Sequence, residues 1–390
     1  MALLMILLPL ALAALALAFP VGRGRPWRPW LIPFAGCAQM ALVLAEFSGA
    51  KLAPGSRWLA LDPPGRIVLL LVSVLYLFCA FYAVGYLRSR NESPNRVFCA
   101  CLLASLGGMD LVVWSQHLGV MWVAVEGTTL LTAPLIYFKR TRESIEATWK
   151  YLLVGSVGIA MALLGTFFLA YALIHVGLDA PLTMEALLAG GVTSCAFLAL
   201  VRITHVVNAA GEGAFTSRLL LFLGLFSMAV AAVFVAAQRD FKRMLAYSSV
   251  EHMGILALGL GLGRPALYGT MLHILTNGLT KGVLFLSAGN IHRAYGSKNT
   301  DQVRGVLRRL PVSGTLFFLG FLAITGSPPF GPFVSEFSIL KGSFAAGRFL
   351  IGGAFLVLLM AIFAGMSRTV LRAVQGKAPA SGQKAEAAGP

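Results

Sequence analysis

The sequence predicts an all-α protein, a polytopic transmembrane bundle of about 12 helices with a break in a late one. Three observations predict it. Of 390 residues, 58% are hydrophobic and only 12% charged, with a mean hydropathy of +0.82. So few charges cannot cover a soluble domain of that size. Apolar runs recur near 2–19, 29–49, 67–87, 97–115, 118–138, 151–176, 183–206, 219–237, 244–262, 266–289, 314–345 and 349–370. Each approaches or exceeds the roughly 20 residues a helix needs to cross hydrocarbon. The basic residues, finally, fall mostly between those runs.

The first run lacks the basic flank that precedes a signal-peptide core, and Arg23, Arg25 and Arg28 follow it. It therefore reads as a retained helix with the N-terminus outside; a cleaved signal is the alternative. Connections are mostly short, which gives one membrane domain over 1–373. Residues 374–390, rich in Ala, Gly, Pro and Lys, read as a disordered cytoplasmic tail.

The net charge of +16 would suit a nucleic-acid partner, but its distribution does not. Arg23/Arg25/Arg28, Arg88/Arg90/Arg96, Lys139/Arg140/Arg142/Lys150, Arg239/Lys242/Arg243, the stretch Arg293 to Arg309 and the tail from Arg368 hold 22 of the 31 basic residues. Basic segments between spanning helices mark the cytoplasmic side of a cell inner membrane. The five cysteines (Cys37, Cys79, Cys99, Cys101 and Cys195) sit in apolar runs without paired metal-ligand spacing and read as small hydrophobes. No phosphate-cradling loop, dinucleotide fingerprint, haem-attachment motif or nucleophile elbow is present. The chain is read as holding no metal and no cofactor.

Ionisable groups inside spanning helices cost about 2.5–3.5 kcal/mol each at the helix centre on insertion scales, and so mark candidate ion routes. Glu126 lies mid-run in VMWVAVEGTTLLTAPL, followed by small and hydroxylated Gly127, Thr128 and Thr129. A carboxyl at that depth can exchange protons; pinning helix packing is the alternative. His273, Asn277 and Lys281 stand at i, i+4 and i+8 in MLHILTNGLTKGVLF. That spacing puts them on one helix face over about 12 Å of depth. The row reads as a polar track, with a hydrogen-bonded helix seam as the alternative. Glu336 follows the tandem prolines and Pro332 of TGSPPFGPFVSEFSIL, which predict a helix break over Ser327–Pro332. Broken membrane helices turn backbone groups toward ion sites. Supporting polar candidates are Asp110, Lys150, Asp240, Lys242, Glu251 and His252. Asp110, Arg202 and His205 read as structural single points, and the charges of QRDFKRMLAYSSVEHMG can equally serve to fix topology.

The chain resembles the antiporter-like membrane subunits shared by respiratory complex I, Mrp-type antiporters and group 4 membrane-bound [NiFe] hydrogenases, most closely the formate-hydrogenlyase type. WVAVEGTTLLTAPLIYF, IEATWKYLLVGSVG, QRDFKRMLAYSSVEHMGILALGLGLG, LHILTNGLTKGVLFLSAGNI and GSPPFGPFVSEFSIL carry the resemblance, over about residues 60–370. It implies a proton- or sodium-translocating subunit driven by redox chemistry elsewhere, with NiFe and iron–sulfur centres in partner subunits. A non-pumping scaffold of the same membrane arm and a part of a multisubunit antiporter are the alternatives. The resemblance also implies ion-translocating roles for Glu126, His273, Lys281 and Glu336.

The sequence departs from the family pattern twice. A broken helix bearing a Lys, with a following PLHTWLPDAH-like stretch, is replaced by HVGLDAPLTMEALLAGGVTSCAFLAL. Asn277 stands where relatives commonly have a second His; an amide can bridge a hydrogen-bonded chain but carries no net proton. The basic loops 139–150 and 238–243 should both be cytoplasmic, which requires an even number of crossings between them, yet three apolar runs intervene. Residues 177–209 are therefore expected not to cross as an ordinary helix.

Overall fold

The computed structural model describes residues 1–18, 28–49, 58–88, 95–136, 193–209, 211–236 and 238–375, with the isolated residues 145, 148 and 152. Among the described residues there is no strand, only isolated bridges pairing Leu59 with Ser115 and Asp240 with Asn299. The helices are α1 (Ala2–Ala18), α2 (Leu31–Phe47, entered through a 3-10 turn at Arg28–Trp30), α3 (Pro63–Arg88), α4 (Arg96–Trp114), α5 (Leu118–Ile136), α6 (Thr193–Ala209), α7 (Gly213–Ala236), α8 (Phe241–Leu262), α9 (Arg264–Tyr295), the single turn α10 (Val306–Arg309), α11 (Pro311–Ile324), α12 (Gly331–Ala345) and α13 (Phe349–Gln375). Among the described residues six stretches are long and apolar enough to cross a membrane: Arg28–Phe47, Pro63–Leu87, Arg96–Trp114, Gly213–Ala236, Phe241–Leu262 and Phe349–Gln375. Shorter apolar helices occupy Ala2–Ala18, Gly119–Leu135 and Pro311–Ile324. At 32 residues α9 outspans the roughly 30 Å hydrocarbon core, but it carries a polar row along its middle.

Of the segment 177–209, residues 177–192 lie outside the described residues, as does Lys150. Residues 193–209 form a regular 17-residue helix. α13 continues to Gln375, two residues past the boundary expected at 373, and the rest of the expected tail lies outside the described residues.

The chain divides into two compact units, Met1–Val206 and Val207–Pro390. In the first, α1 packs on α4, α4 on α5 and α2 on α3, around a core that includes Ile32, Leu69, Leu103 and Leu106. The segment 58–62 is stitched to the α4–α5 connection: Ala60 N–H donates to Trp114 C=O (2.9 Å) and Gln116 N–H to Trp58 C=O (2.8 Å). Arg202, fully buried on α6, plugs this junction. Its Nη1 donates to Ser115 C=O at 2.8 Å and its Nη2 pairs with Asp62 Oδ1 at 2.9 Å. Burying a guanidinium is expensive unless a carboxylate meets it, so this pair fixes α6 to the start of α3.

In the second unit α7 packs on α8, and α9 on α8, α11 and α12. Local signals set the ends. Asp240 caps α8 by accepting from Lys242 N–H (2.8 Å) and Arg243 N–H (3.1 Å). Pro265 sits in the first turn of α9, and Gly296, at φ 67°, closes it in the left-handed conformation. The helix break expected at the prolines is present: α11 ends at Ile324, the Pro328–Pro329 peptide is cis, and α12 resumes at Gly331 with Pro332 in its first turn.

One end of this unit gathers three basic segments. Thr300 N–H donates to Arg239 C=O (2.9 Å), Phe241 N–H to Lys298 C=O (3.2 Å), and Thr369 Oγ1 on α13 to Gln238 C=O (2.8 Å). Arg239, Arg293, Arg309 and Arg368 thus belong to segments that meet at one pole of the bundle.

Candidate functional site

The site is built on α8, α9 and α12 of the second unit. A Cβ at Gly269 would lie 2.8 Å from Ser335 O and 2.9 Å from Ile339 N, so the missing side chain lets α9 and α12 touch backbone to backbone. That approach carries His273, one turn on, against Ser335. His273 Nδ1 stands 2.8 Å from Ser335 Oγ, and His273 Nε2 stands 3.0 Å from His252 Nδ1 on α8. Ser335 O–H donates to Pro332 C=O at 2.8 Å. His252, His273, Ser335, Glu336, Glu251 and Asn277 are all buried. Nitrogen or oxygen atoms of His252, His273 and Glu336 lie within 4.8 Å of one another. Four side-chain atoms in this cluster are buried without a hydrogen-bond partner: His252 Nε2, Glu251 Oε2, Glu336 Oε1 and Asn277 Oδ1. The charge of Lys281, partly buried further along α9, acts on Glu251, His252 and His273, and that of Glu251 acts on Glu336.

Two imidazoles, a carboxyl and a hydroxyl therefore converge inside the bundle, with a second buried carboxyl, an amide and an ammonium on the same helices. Such a set can hold and pass protons. A metal held by His252, His273 and Glu336 would have to replace the imidazole–imidazole hydrogen bond, so the geometry is that of a proton-sharing pair.

The helix break shapes the pocket around Glu336. Gly326 has φ 65°, and a Cβ there would collide with the Glu336 carboxylate. Only glycine suits both conditions. Gly326→Ala is expected to displace Glu336 and cost about 1–3 kcal/mol of stability, read as a lower unfolding temperature in detergent. An unchanged unfolding temperature would show that the turn yields. Thr325, Gly326 and Glu336 line a cavity of about 390 Å³ that is otherwise walled by apolar side chains of α12 and α13.

Of the sequence-predicted residues, all but Lys150 lie among the described ones. His252, His273 and Glu336 are brought together; Asn277 and Lys281 continue the row along α9, and Glu251 is buried beside His252 on α8. Asp240 is a helix cap, and Lys242 lies beside it at the basic pole. Glu126 lies on α5 of the first unit, half-buried. Asp110 in the same unit is fully buried and accepts from Gln39 Nε2 at 2.7 Å. Arg202 is structural, as expected; His205 is exposed. Two residues escaped sequence reasoning. Ser335 gives no signal of its own beside Glu336. Asp62 was legible as a cap: it stands before Pro63 and accepts from Gly65 N–H at 3.1 Å.

Residues 173–362 match a transmembrane family described as NADH:quinone oxidoreductase/Mrp antiporter. The hydrogenase-4 component F homolog of Methylacidiphilum infernorum (isolate V4) is 30% identical over 359 residues, covering 77% of this chain and 75% of the relative. NADH-quinone oxidoreductase subunit N of Desulforudis audaxviator (strain MP104C) is 28% identical over 426 residues, covering 97% and 81%. Both matches run longer than the stretch of this chain they cover, so both comparisons open gaps in this chain. Among solved structures, a chain of the membrane-bound sulfane sulfur reductase, an archaeal respiratory membrane complex, superposes with TM-score 0.84 at 18% identity, over 99% of this chain and 90% of that one. A chain of respiratory complex I from Thermus thermophilus does so with TM-score 0.78 at 22% identity, over 99% and 91%. At these identities the likeness is one of fold.

Proposed function

The chain belongs to the NADH:quinone oxidoreductase/Mrp antiporter family of membrane subunits, and from that membership we propose that it translocates protons or sodium ions within a complex I-like assembly of the group 4 hydrogenase or NADH/quinone dehydrogenase type. One observation carries the proposal: the buried, hydrogen-bonded series from His252 through His273 to Ser335, flanked by Glu251, Lys281 and Glu336. Hydrocarbon tolerates such groups only where they serve a pathway or one another. The chain moves charge; electron transfer belongs to hydrophilic partner subunits, where we place the NiFe and iron–sulfur centres. Further membrane subunits flank it.

Glu126 is the proposed exchange point of the first unit. Glu126→Gln keeps the size of the side chain and removes its proton. It is expected to reduce pumping by the assembled complex about 10²-fold; an unchanged rate excludes Glu126 from the path. A scaffold that moves no ions is the competing reading, favoured by the departure from the family pattern at HVGLDAPLTMEALLAGGVTSCAFLAL. Purification from native membranes tests the assembly: co-migrating hydrogenase or dehydrogenase subunits support it, and migration as a lone chain contradicts it.

We place the N-terminus outside and the basic pole of the second unit in the cytoplasm, following the charge rule. With a cysteine-free parent, Arg243→Cys and Lys298→Cys, both exposed, should label from the cytoplasmic side only. Labelling of either from outside would invert this orientation. Cysteine at Ser144 in the same assay reports whether the first basic loop shares that side.

A further inference from the structure

The hydrogen bonds around Ser335 have a direction. A hydroxyl has one proton, and that of Ser335 is committed to Pro332 C=O, which can only accept. Ser335 Oγ must then accept from His273, so the proton of neutral His273 sits on Nδ1. His273 Nε2 is left as an acceptor, and His252 must donate to it from Nδ1 across 3.0 Å. The remaining nitrogen, His252 Nε2, is a bare acceptor, buried and without a hydrogen-bond partner. The other end of the series stops at a backbone carbonyl, which takes no proton.

We infer that Ser335, locked to Pro332 at the start of α12, sets the tautomers of the His252–His273 pair and so makes His252 Nε2 the side at which the pair takes up a proton. The supplying group is Glu336 on α12, the carboxyl within the same 4.8 Å cluster; Glu251, buried next to His252 in the sequence of α8, is the other carboxyl of the neighbourhood. Lys281 is the facing cation on α9. A proton arriving at His252 Nε2 displaces the one on Nδ1 to His273 Nε2. His252 returns to neutrality in the opposite tautomer, and the charge rests on His273. No bond to carbon changes and no electron moves. Onward transfer from His273 requires the Ser335 hydroxyl to leave Pro332. Ser335 is thus a positioning residue that holds the pair in its loading state. It does not itself carry the proton away.

This inference rests on the ion-translocating role proposed above, but its first test does not. The assembled complex, labelled with nitrogen-15 histidine and held in lipid bilayers, reports the tautomer of each imidazole by magnetic resonance; His252→Gln and His273→Gln assign the signals. In the parent protein both His252 and His273 should carry the proton on Nδ1. Ser335→Ala should bring up an Nε2-protonated signal from His273 and lower pumping about tenfold, and Ser335→Thr, which retains the hydroxyl, should restore both. An Nε2-protonated His273 in the parent, or a Ser335→Ala spectrum identical to it, would overturn the lock. A changed spectrum with undiminished pumping would overturn the role of the lock in proton uptake. Normal pumping in a Lys281 variant, by contrast, would defeat the transport reading while leaving the tautomer result to stand or fall alone.

Discussion

Lys281→Ala is expected to abolish ion translocation by the assembled complex, with a loss of about 10²-fold or more, of the size expected when a positioned proton carrier is removed. Lys281 is the cation whose charge acts on Glu251, His252 and His273. Alanine there leaves the buried Glu251 without its cation, and the polar row of α9 ends at Asn277, which exchanges no proton. Lys281→Arg separates charge from exchange. A guanidinium keeps the charge but does not release its proton in proteins, so this variant should assemble and fail as well. If Lys281→Arg pumps normally, Lys281 is only a counter-charge and the row on α9 is not a carrier.

Asp62→Ala is expected to remove about 3–5 kcal/mol of stability, the cost of stranding a buried guanidinium. Arg202 is fully buried and its partner side chain is only 12% exposed, so water cannot take the place of the carboxylate. The same substitution removes the cap of α3. Asp62→Asn keeps a cap acceptor and should lie between parent and alanine. Adding Arg202→Met to Asp62→Ala removes the stranded charge and should recover part of the loss. Unfolding temperature in detergent reads all three. A double variant less stable than Asp62→Ala would show that the bond from Arg202 to Ser115 C=O outweighs the cost of the stranded charge.

How much of this was legible beforehand follows from what each signal depends on. Hydrocarbon-length apolar runs need no partner to be read, so the helical class stood in the sequence. The break around Pro328, Pro329 and Pro332 did too, because proline acts through its own backbone. The i, i+4, i+8 spacing of His273, Asn277 and Lys281 sufficed for a shared face. What the spacing could not supply is the view across helices. His252 read as a residue entering the membrane beside a basic loop, yet the contact of α8 with α9 makes it the partner of His273. Ser335 carries no period or charge; its role appears only where Gly269 lets α9 and α12 touch. The pairing of Asp62 with Arg202 joins residues 140 apart in sequence, and nothing local announces it. Asp240 and Lys242 were legible as charges, but the charges alone could not distinguish a helix cap from a transport group.

The most direct test of the central claim is the number of ions moved per electron by the assembled complex in sealed proteoliposomes, measured for the parent and for Glu336→Gln at matched redox turnover. The buried cluster on α8, α9 and α12 predicts that Glu336→Gln lowers that ratio while the soluble redox activity of the partner subunits persists. An unchanged ratio at undiminished turnover would contradict it and leave the chain as a scaffold.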